Sequence, residues 1–357
     1  MFHKTRQKFT VLFAALAATC LLVVPGCGDD SSSDTTEALS TTTVALATTT
    51  TVTPTTTVAP EPVEKPLIVV TTNILGDVVG KAVGDLFDVE TIMPPGADPH
   101  VFQASAKQVD RMMKADLLVV NGANFEEGLL DVIKGAESDG VKVFEAIDSV
   151  DPLEDNDKEE GHDDHDEEGH DDHHGHDHGG VDPHFFTDPG RMAQVVKQLS
   201  DFLVLNFPEI DEKDLVSHMT DYSKKLEDLD SEVMQTLSSI PTGSRVMVTN
   251  HEVFAYFAES YEFEILGTII PSSSTLSNTS AKDLVDLAEK MKAEGVPAVF
   301  VDASSSDALA EALAGEVDGV KVVSLFSESL GAEDTAGSTY IDMVRTNSEL
   351  IASALTG

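Results

Sequence analysis

Leu67-Ile68-Val69-Val70-Thr71-Thr72 is an unbroken run of large apolar and β-branched side chains, and Ile74 to Val83 directly behind it spaces its apolar residues as a helix does. A strand with no polar alternation is one buried on both faces, which is the habit of parallel sheets with helices on each side. Working outward, the same unit recurs. Phe87 to Met93 reads as a strand, Ser105 to Lys114 as a helix, Asp116 to Asn121 as a strand, Phe125 to Gly135 as a helix and Val141 to Phe144 as a strand. Alternation of this kind predicts the α/β class and one parallel-sheet lobe.

Beyond it, Asp188 to Phe207 is helical, and between Asp211 and Ile240 the residues Leu215, Met219, Tyr222, Leu226, Leu229, Val233 and Leu237 recur three or four apart among charged neighbours. That spacing predicts one amphipathic helix of up to ~45 Å, long enough to brace two lobes and limit hinge motion. Alternation resumes after Pro241. Strands are expected at Arg245 to Asn250, Phe263 to Ile270, Ala298 to Asp302 and Val320 to Phe326. Helices are expected at Glu252 to Glu259, Ser280 to Glu294, Asp307 to Gly315 and Ser338 to Leu355. The second lobe thus repeats the architecture of the first. A chain of 357 residues suits two domains plus extensions.

The expected organisation is residues 1–26 as a signal peptide, 27–65 as a tether, 66–210 as an N-terminal lobe, 211–240 as the linking helix and 241–357 as a C-terminal lobe. Met1 to Lys8 is basic, Phe9 to Val24 is apolar but too short to span a bilayer, and Pro25-Gly26 leads to Cys27. A cut before Cys27 fits a lipoprotein whose thiol is acylated, with an ordinary secretory cut as the competing reading. Loss of Cys20 with the signal would leave no disulfide, and any metal site would be built from His, Asp, Glu or Asn. Residues 31–65 are mostly Ser, Thr, Ala, Val and Pro, with too little large apolar surface to offset the entropy of ordering. The net charge of −42 excludes nucleic acid as a partner and draws divalent cations, although solubility alone is a sufficient reason for it.

Asp98-Pro99-His100-Val101-Phe102 returns as Asp182-Pro183-His184-Phe185-Phe186. Proline fixes its own φ and favours extended backbone before it, so each imidazole leaves a turn in a defined direction. His251 follows the strand ending at Asn250, and Glu328 lies just past the strand near Phe326. All four residues therefore fall at carboxyl ends of strands, where open α/β sheets bind ligands, and two facing lobes would bring two from each onto one point. Three imidazoles and a carboxylate suit a first-row divalent metal. The competing readings are a core histidine for His251 and a solvated loop acid or helix cap for Glu328. His218, within the long helix, is expected to face solvent.

Residues 151–180 hold a tract with no apolar periodicity, dense in acid and in His162, His165, His170, His173, His174, His176 and His178. Such a tract is expected to bind metal weakly in several geometries, and to lack order without it. A purely solvated acidic loop is the alternative.

With these residues in hand, the chain resembles the zinc/manganese-type (cluster A-I) solute-binding lipoproteins of ABC metal importers over roughly Lys65 to Ala354. The likeness is carried by Pro94-Pro95-Gly96-Ala97-Asp98-Pro99-His100-Val101-Phe102, Asp182-Pro183-His184-Phe185, Asn250-His251-Glu252-Val253-Phe254, Ser327-Glu328-Ser329-Leu330-Gly331 and Tyr340-Ile341-Asp342-Met343. The resemblance implies two Rossmann-like lobes joined by one rigid helix, metal ligation by His100, His184, His251 and Glu328, and a histidine-rich loop before the second ligand in zinc members. Many relatives carry Asp where Glu328 stands, which opens the metal's identity. Asn278-Thr279-Ser280 stands where an acidic or proline-containing segment is usual, and Phe185 stands where Trp or another residue is common.

The expected function is capture of Zn²⁺ outside the cytoplasm by a membrane-anchored monomer and delivery to a membrane permease. Manganese is the alternative ion, and a transporter-independent metal buffer or adhesin is the alternative role. A metallohydrolase fits poorly. The helical zinc-protease pattern begun by His251-Glu252 would need histidine at Ala255, and four protein ligands leave no open position for an activated water.

Overall fold

The computed structural model describes residues 64–154 and 180–357. The expected signal peptide, Cys27, the expected tether up to residue 63 and the seven tract histidines lie outside the described residues.

Leu67–Val70 (β1), Asp88–Thr91 (β2), Leu117–Val120 (β3) and Lys142–Glu145 (β4) form one sheet in the order β2-β1-β3-β4. Val246–Thr249 (β5), Glu264–Thr268 (β6), Ala298–Asp302 (β7) and Lys321–Leu325 (β8) form a second sheet in the order β6-β5-β7-β8. Every pairing is parallel. The two lobes share one topology, as the alternation of elements requires.

Helices cover both faces. Asn73–Val83 (α1) starts where the Thr72 hydroxyl accepts the Leu75 N–H, so the two threonines that end the opening run divide the work of stopping the strand and capping the helix. Ala106–Met112 (α2) and Leu130–Ser138 (α3) complete the first lobe. Pro189–Asn206 (α4) and Glu212–Leu237 (α5) cross to the second, which holds Ala255–Tyr261 (α6), Ala281–Glu294 (α7), Ala308–Gly315 (α8) and Tyr340–Thr356 (α9).

The amphipathic stripe of α5 is fully used: Leu215, Met219, Tyr222, Leu226, Leu229, Val233 and Leu237 are all buried. Its 26 residues span roughly 39 Å at 1.5 Å per residue, shorter than the expected reach because the chain leaves the helix before Ile240. His218 is exposed, with its Nδ1 3.5 Å from the Val83 carbonyl oxygen at the end of α1.

Side-chain alternation along the strands sorts the apolar residues into three groups. Ile68, Val70, Leu117 and Val119 of the first sheet join Met247, Ala298 and Phe300 of the second in one large core with α1, α4, α5, α6 and α9. The opposite faces pack separately, Val69, Leu118 and Val120 on α2 and α3, and Val248, Val299 and Val301 on α7 and α8. The two lobes are therefore built on a shared interior rather than on two independent ones.

Two expected helices begin later than their apolar pattern suggests. Phe125 precedes a short 3-10 turn over Glu127–Leu129 before α3, because Gly122, Ala123 and Asn124 have φ of 85°, 51° and 58° and turn the chain left-handed just upstream. α6 begins at Ala255 because residues 251–254 form the loop that carries His251.

Candidate metal centre

His100 follows β2, His184 follows β4, His251 lies two residues beyond β5 and Glu328 three beyond β8. The structure brings these four together between the lobes, with one donor atom from each lying within 4.8 Å of all the others. Their exposures are 3%, 0%, 0% and 2%, so the donors face one another rather than water.

Glu328 is the hub. Its Oε1 lies 2.9 Å from His251 Nε2 and 3.3 Å from His184 Nε2, while its Oε2 lies 3.5 Å from His100 Nε2. Donors at zinc-ligand distance in a tetrahedral shell stand roughly 3.3 Å apart, and these separations bracket that value. His100 Nε2, His184 Nε2 and Glu328 Oε2 are buried without any hydrogen-bond partner. Buried polar atoms left unpaired are costly, and three of them converging on one small space fit a cation.

The repeated Asp-Pro-His turn works alike at both copies on the backbone and differently on the side chain. Asp98 Oδ1 accepts the His100 backbone N–H and Asp182 Oδ1 accepts that of His184, each at 2.9 Å. Asp182 Oδ1 also sits 2.7 Å from His184 Nδ1, whereas His100 Nδ1 sits 3.1 Å from Glu127 Oε1. A carboxylate on Nδ1 holds the ring in the tautomer whose Nε2 lone pair faces the centre. Asn121 donates to the Pro183 carbonyl at 2.9 Å and thereby fixes the second turn. Phe125 lies edge-on to both the His100 and His184 rings at 5.1 and 5.5 Å. Gly128 admits the first turn: a Cβ there would stand 2.1 Å from the Phe102 carbonyl oxygen.

In the second lobe Asp302, at the end of β7, accepts the N–H groups of Ser327 and Glu328 at 3.1 and 3.0 Å and the Ser327 hydroxyl at 2.7 Å. It fixes the backbone from which Glu328 projects. The sequence reading placed the four candidate ligands but not Glu127 or Asp302. Asp302 obeys the same end-of-strand rule that found the others.

Burial works against protonation of His100, but Glu127 and Glu328 prevail and push its pKa up to about 9. Burial likewise opposes His184, and Asp182 with Glu328 pushes it up to about 10. Burial would raise Glu328, yet His184, His251 and His100 hold it well below the usual carboxylate range. Without a metal the centre therefore takes up protons at neutral pH, and a divalent cation must displace them.

A family model described as zinc-uptake complex component A, periplasmic (ZnuA), matches residues 68–354. The chain belongs to the ZnuA family. It is 30% identical to the zinc-binding protein TroA of Treponema pallidum over 298 residues, which is 82% of this chain and 89% of that protein. It is 26% identical to the manganese ABC transporter substrate-binding lipoprotein PsaA of Streptococcus anginosus over 303 residues, covering 82% and 90% of the two chains. The solved structure of the Treponema pallidum TroA superposes with a TM-score of 0.69 and 27% identity, covering 82% of this chain and all of that one. The ZnuA family comprises cluster A-I solute-binding proteins of metal importers, not enzymes, and its two parallel-sheet lobes are the architecture described above. Zinc-named and manganese-named relatives both match, so membership establishes metal binding without choosing the ion.

Proposed function

We propose that the protein captures Zn²⁺ between its lobes through His100, His184, His251 and Glu328, and delivers it to the permease of an ABC importer. The observation that carries this reading is the convergence of four buried donors, three of them with atoms that lack any hydrogen-bond partner. Three imidazole nitrogens and one carboxylate oxygen are a donor set that zinc prefers at four-coordination. The cargo is chelated by the side chains alone, and Asp182, Glu127 and Asp302 orient them.

Manganese is the second reading, favoured by one feature. Glu328 Oε2 is buried and has no hydrogen-bond partner, so a carboxylate turned to offer both oxygens would raise the coordination number towards what manganese takes. Metal analysis of untagged protein, followed by competition between Zn²⁺ and Mn²⁺, decides between them. One tightly held zinc per chain supports the proposal, manganese prevailing in competition supports the second reading, and failure of both ions to bind stoichiometrically overturns both.

The rest of the chain fits an extracytoplasmic lipoprotein. The Pro25-Gly26-Cys27 sequence after a short apolar segment supports attachment through a lipid on Cys27, with residues 31–65 as spacer. The tract histidines, His162 to His178, serve as weak auxiliary donors on this reading. The ends of their tract are pinned beside the centre: Glu154 bridges Val181, and Tyr256 Oη accepts the Leu153 N–H and donates to the Asp182 carbonyl.

A further inference from the structure

One further buried carboxylate lies beside the centre without facing it. Glu126 is 1% exposed and stands in the segment between β3 and α3, with Phe125 and Glu127 as its chain neighbours. Its Oε1 accepts the Thr71 hydroxyl at 2.6 Å and the Asn121 backbone N–H at 2.7 Å. Thr71 follows β1 and Asn121 follows β3, two strands that pair. The side chain therefore ties together the carboxyl ends of neighbouring strands and closes its own loop onto its start. The loop needs such a tie, because Gly122, Ala123 and Asn124 have φ of 85°, 51° and 58°, a backbone that residues other than glycine hold only when their surroundings impose it.

Three residues of this loop reach the two histidines of the first lobe. Asn121 holds the Pro183 carbonyl at 2.9 Å, and with it the turn that carries His184. Phe125 sets its ring edge-on to both imidazoles. Glu127 Oε1 faces His100 Nδ1 at 3.1 Å. From the second lobe, Ser274 Oγ and Thr275 Oγ1 donate to Glu127 and Asp98 at 2.5 and 2.8 Å, but both of those carboxylates are partly exposed. The bonds to Glu126 are buried and lie wholly within the first lobe.

We propose that Glu126 is a positioning residue for the cargo ion, acting through Asn121, Phe125 and Glu127 to hold His100 and His184 in one fixed mutual geometry. The inference rests on the metal-capture reading above. Without the carboxylate, the buried Asn121 N–H loses the acceptor it has, and a buried donor left unmatched is costly. The loop then relaxes from its left-handed backbone and carries Asn121, Phe125 and Glu127 with it. Both imidazoles of the first lobe lose their alignment together. His251 and Glu328, whose backbone is held in the second lobe by Thr249 and Asp302, keep theirs. Glu126 never touches the ion; it shapes half of the site that receives it.

The test measures zinc affinity of the full-length protein by competition with a coloured chelator, and the visible spectrum of Co²⁺ bound in place of zinc, which reports coordination geometry. Glu126→Leu is expected to lower zinc affinity about tenfold or more, the scale on which outer-shell partners act, and to alter the cobalt spectrum. Glu126→Gln, which keeps an oxygen for Thr71 and Asn121, is expected to recover most of both. Leu226→Ala, which lowers Tm by opening the core, is expected to move neither. Combined with Asn121→Ala, Glu126→Leu is expected to cost less than the product of the two single losses, whereas with Asp302→Asn in the other lobe the losses are expected to multiply. Should the leucine variant not fold, Thr71→Val removes one donor to the same carboxylate and is expected to show a smaller loss of the same pattern. Wild-type affinity and spectrum in the folded variant, or losses that multiply with Asn121→Ala, overturn the proposal. Absence of tight zinc in the unmodified chain would overturn the capture reading and this one with it, whereas tight zinc held equally with and without Glu126 overturns this one alone.

Discussion

Asp182 Oδ1 lies 2.7 Å from His184 Nδ1 and 2.9 Å from the backbone nitrogen of the same residue. One carboxylate oxygen thus sets both the ring and the chain direction of a fully buried donor. Replacing it with Asn keeps the shape and removes the charge. Asp182→Asn is expected to lower zinc affinity by about 10- to 100-fold, read by competition titration. Unaltered affinity would mean that packing alone orients His184.

Removal of a donor should cost more than removal of its support. His100→Ala, His184→Ala, His251→Ala and Glu328→Ala are each expected to reduce zinc affinity by more than ~100-fold and to abolish most of the metal-induced rise in Tm. Calorimetric titration reads the first effect and a thermal melt the second. Glu328→Asp retains the charge but withdraws it by one methylene, so it should weaken binding less than Glu328→Ala and shift the zinc to manganese preference.

The pH dependence follows from the direction of the histidine shifts. With pKa values of about 9 and about 10 against an ordinary 6.5, His100 and His184 stabilise the metal-free fold by being protonated. That contribution is complete below pH 6.5 and is lost as pH rises through 9 and then 10. Zinc competes with these protons, so binding at pH 7 is expected to release about two per ion. Apparent affinity should climb with pH across the neutral range. Titration calorimetry in buffers of different ionisation enthalpy counts the protons, and a count near zero would refute the pairing of these histidines with their carboxylates.

Deleting residues 155–179 tests the division between the centre and the histidine tract. The shortened protein is expected to keep one tight zinc site and to lose several weak ones, seen as a lower total stoichiometry in equilibrium dialysis. Loss of the tight site would place primary binding in the tract instead.

Leu226 is fully buried in the middle of α5, where it meets the interior common to both lobes. Leu226→Ala should destabilise the protein by about 2–5 kcal/mol, measured by denaturant unfolding. Leu205→Ala, on an exposed side chain of α4, should change stability by less than ~0.5 kcal/mol.

Much of the architecture is visible in local pattern. Unbroken apolar runs gave both sheets, and the stripe from Leu215 to Leu237 gave the long helix, because period and burial are properties of neighbouring residues. His100 and His184 are found by their repeated turn, and His251 and Glu328 by their places after strands. What pattern could not supply is the support around them. Ser274 lies 147 residues from Glu127, and Thr275 lies 177 from Asp98, so no spacing rule relates them. Glu127 gives no better signal, since a glutamate opening a helix is equally at home as a favourable partner of the helix dipole. The late start of α3 was hidden for a different reason: left-handed backbone at Ala123 and Asn124 is imposed by the surrounding fold on residue types that do not advertise it.

The single interior that runs through both sheets limits what loading can do to the molecule's outline. Uncovering 100 Å² of hydrocarbon costs about 2.5 kcal/mol, so a wide swing of one half away from the other is steeply opposed. Full and empty forms are consequently expected to share nearly the same silhouette, which small-angle scattering with and without zinc would read.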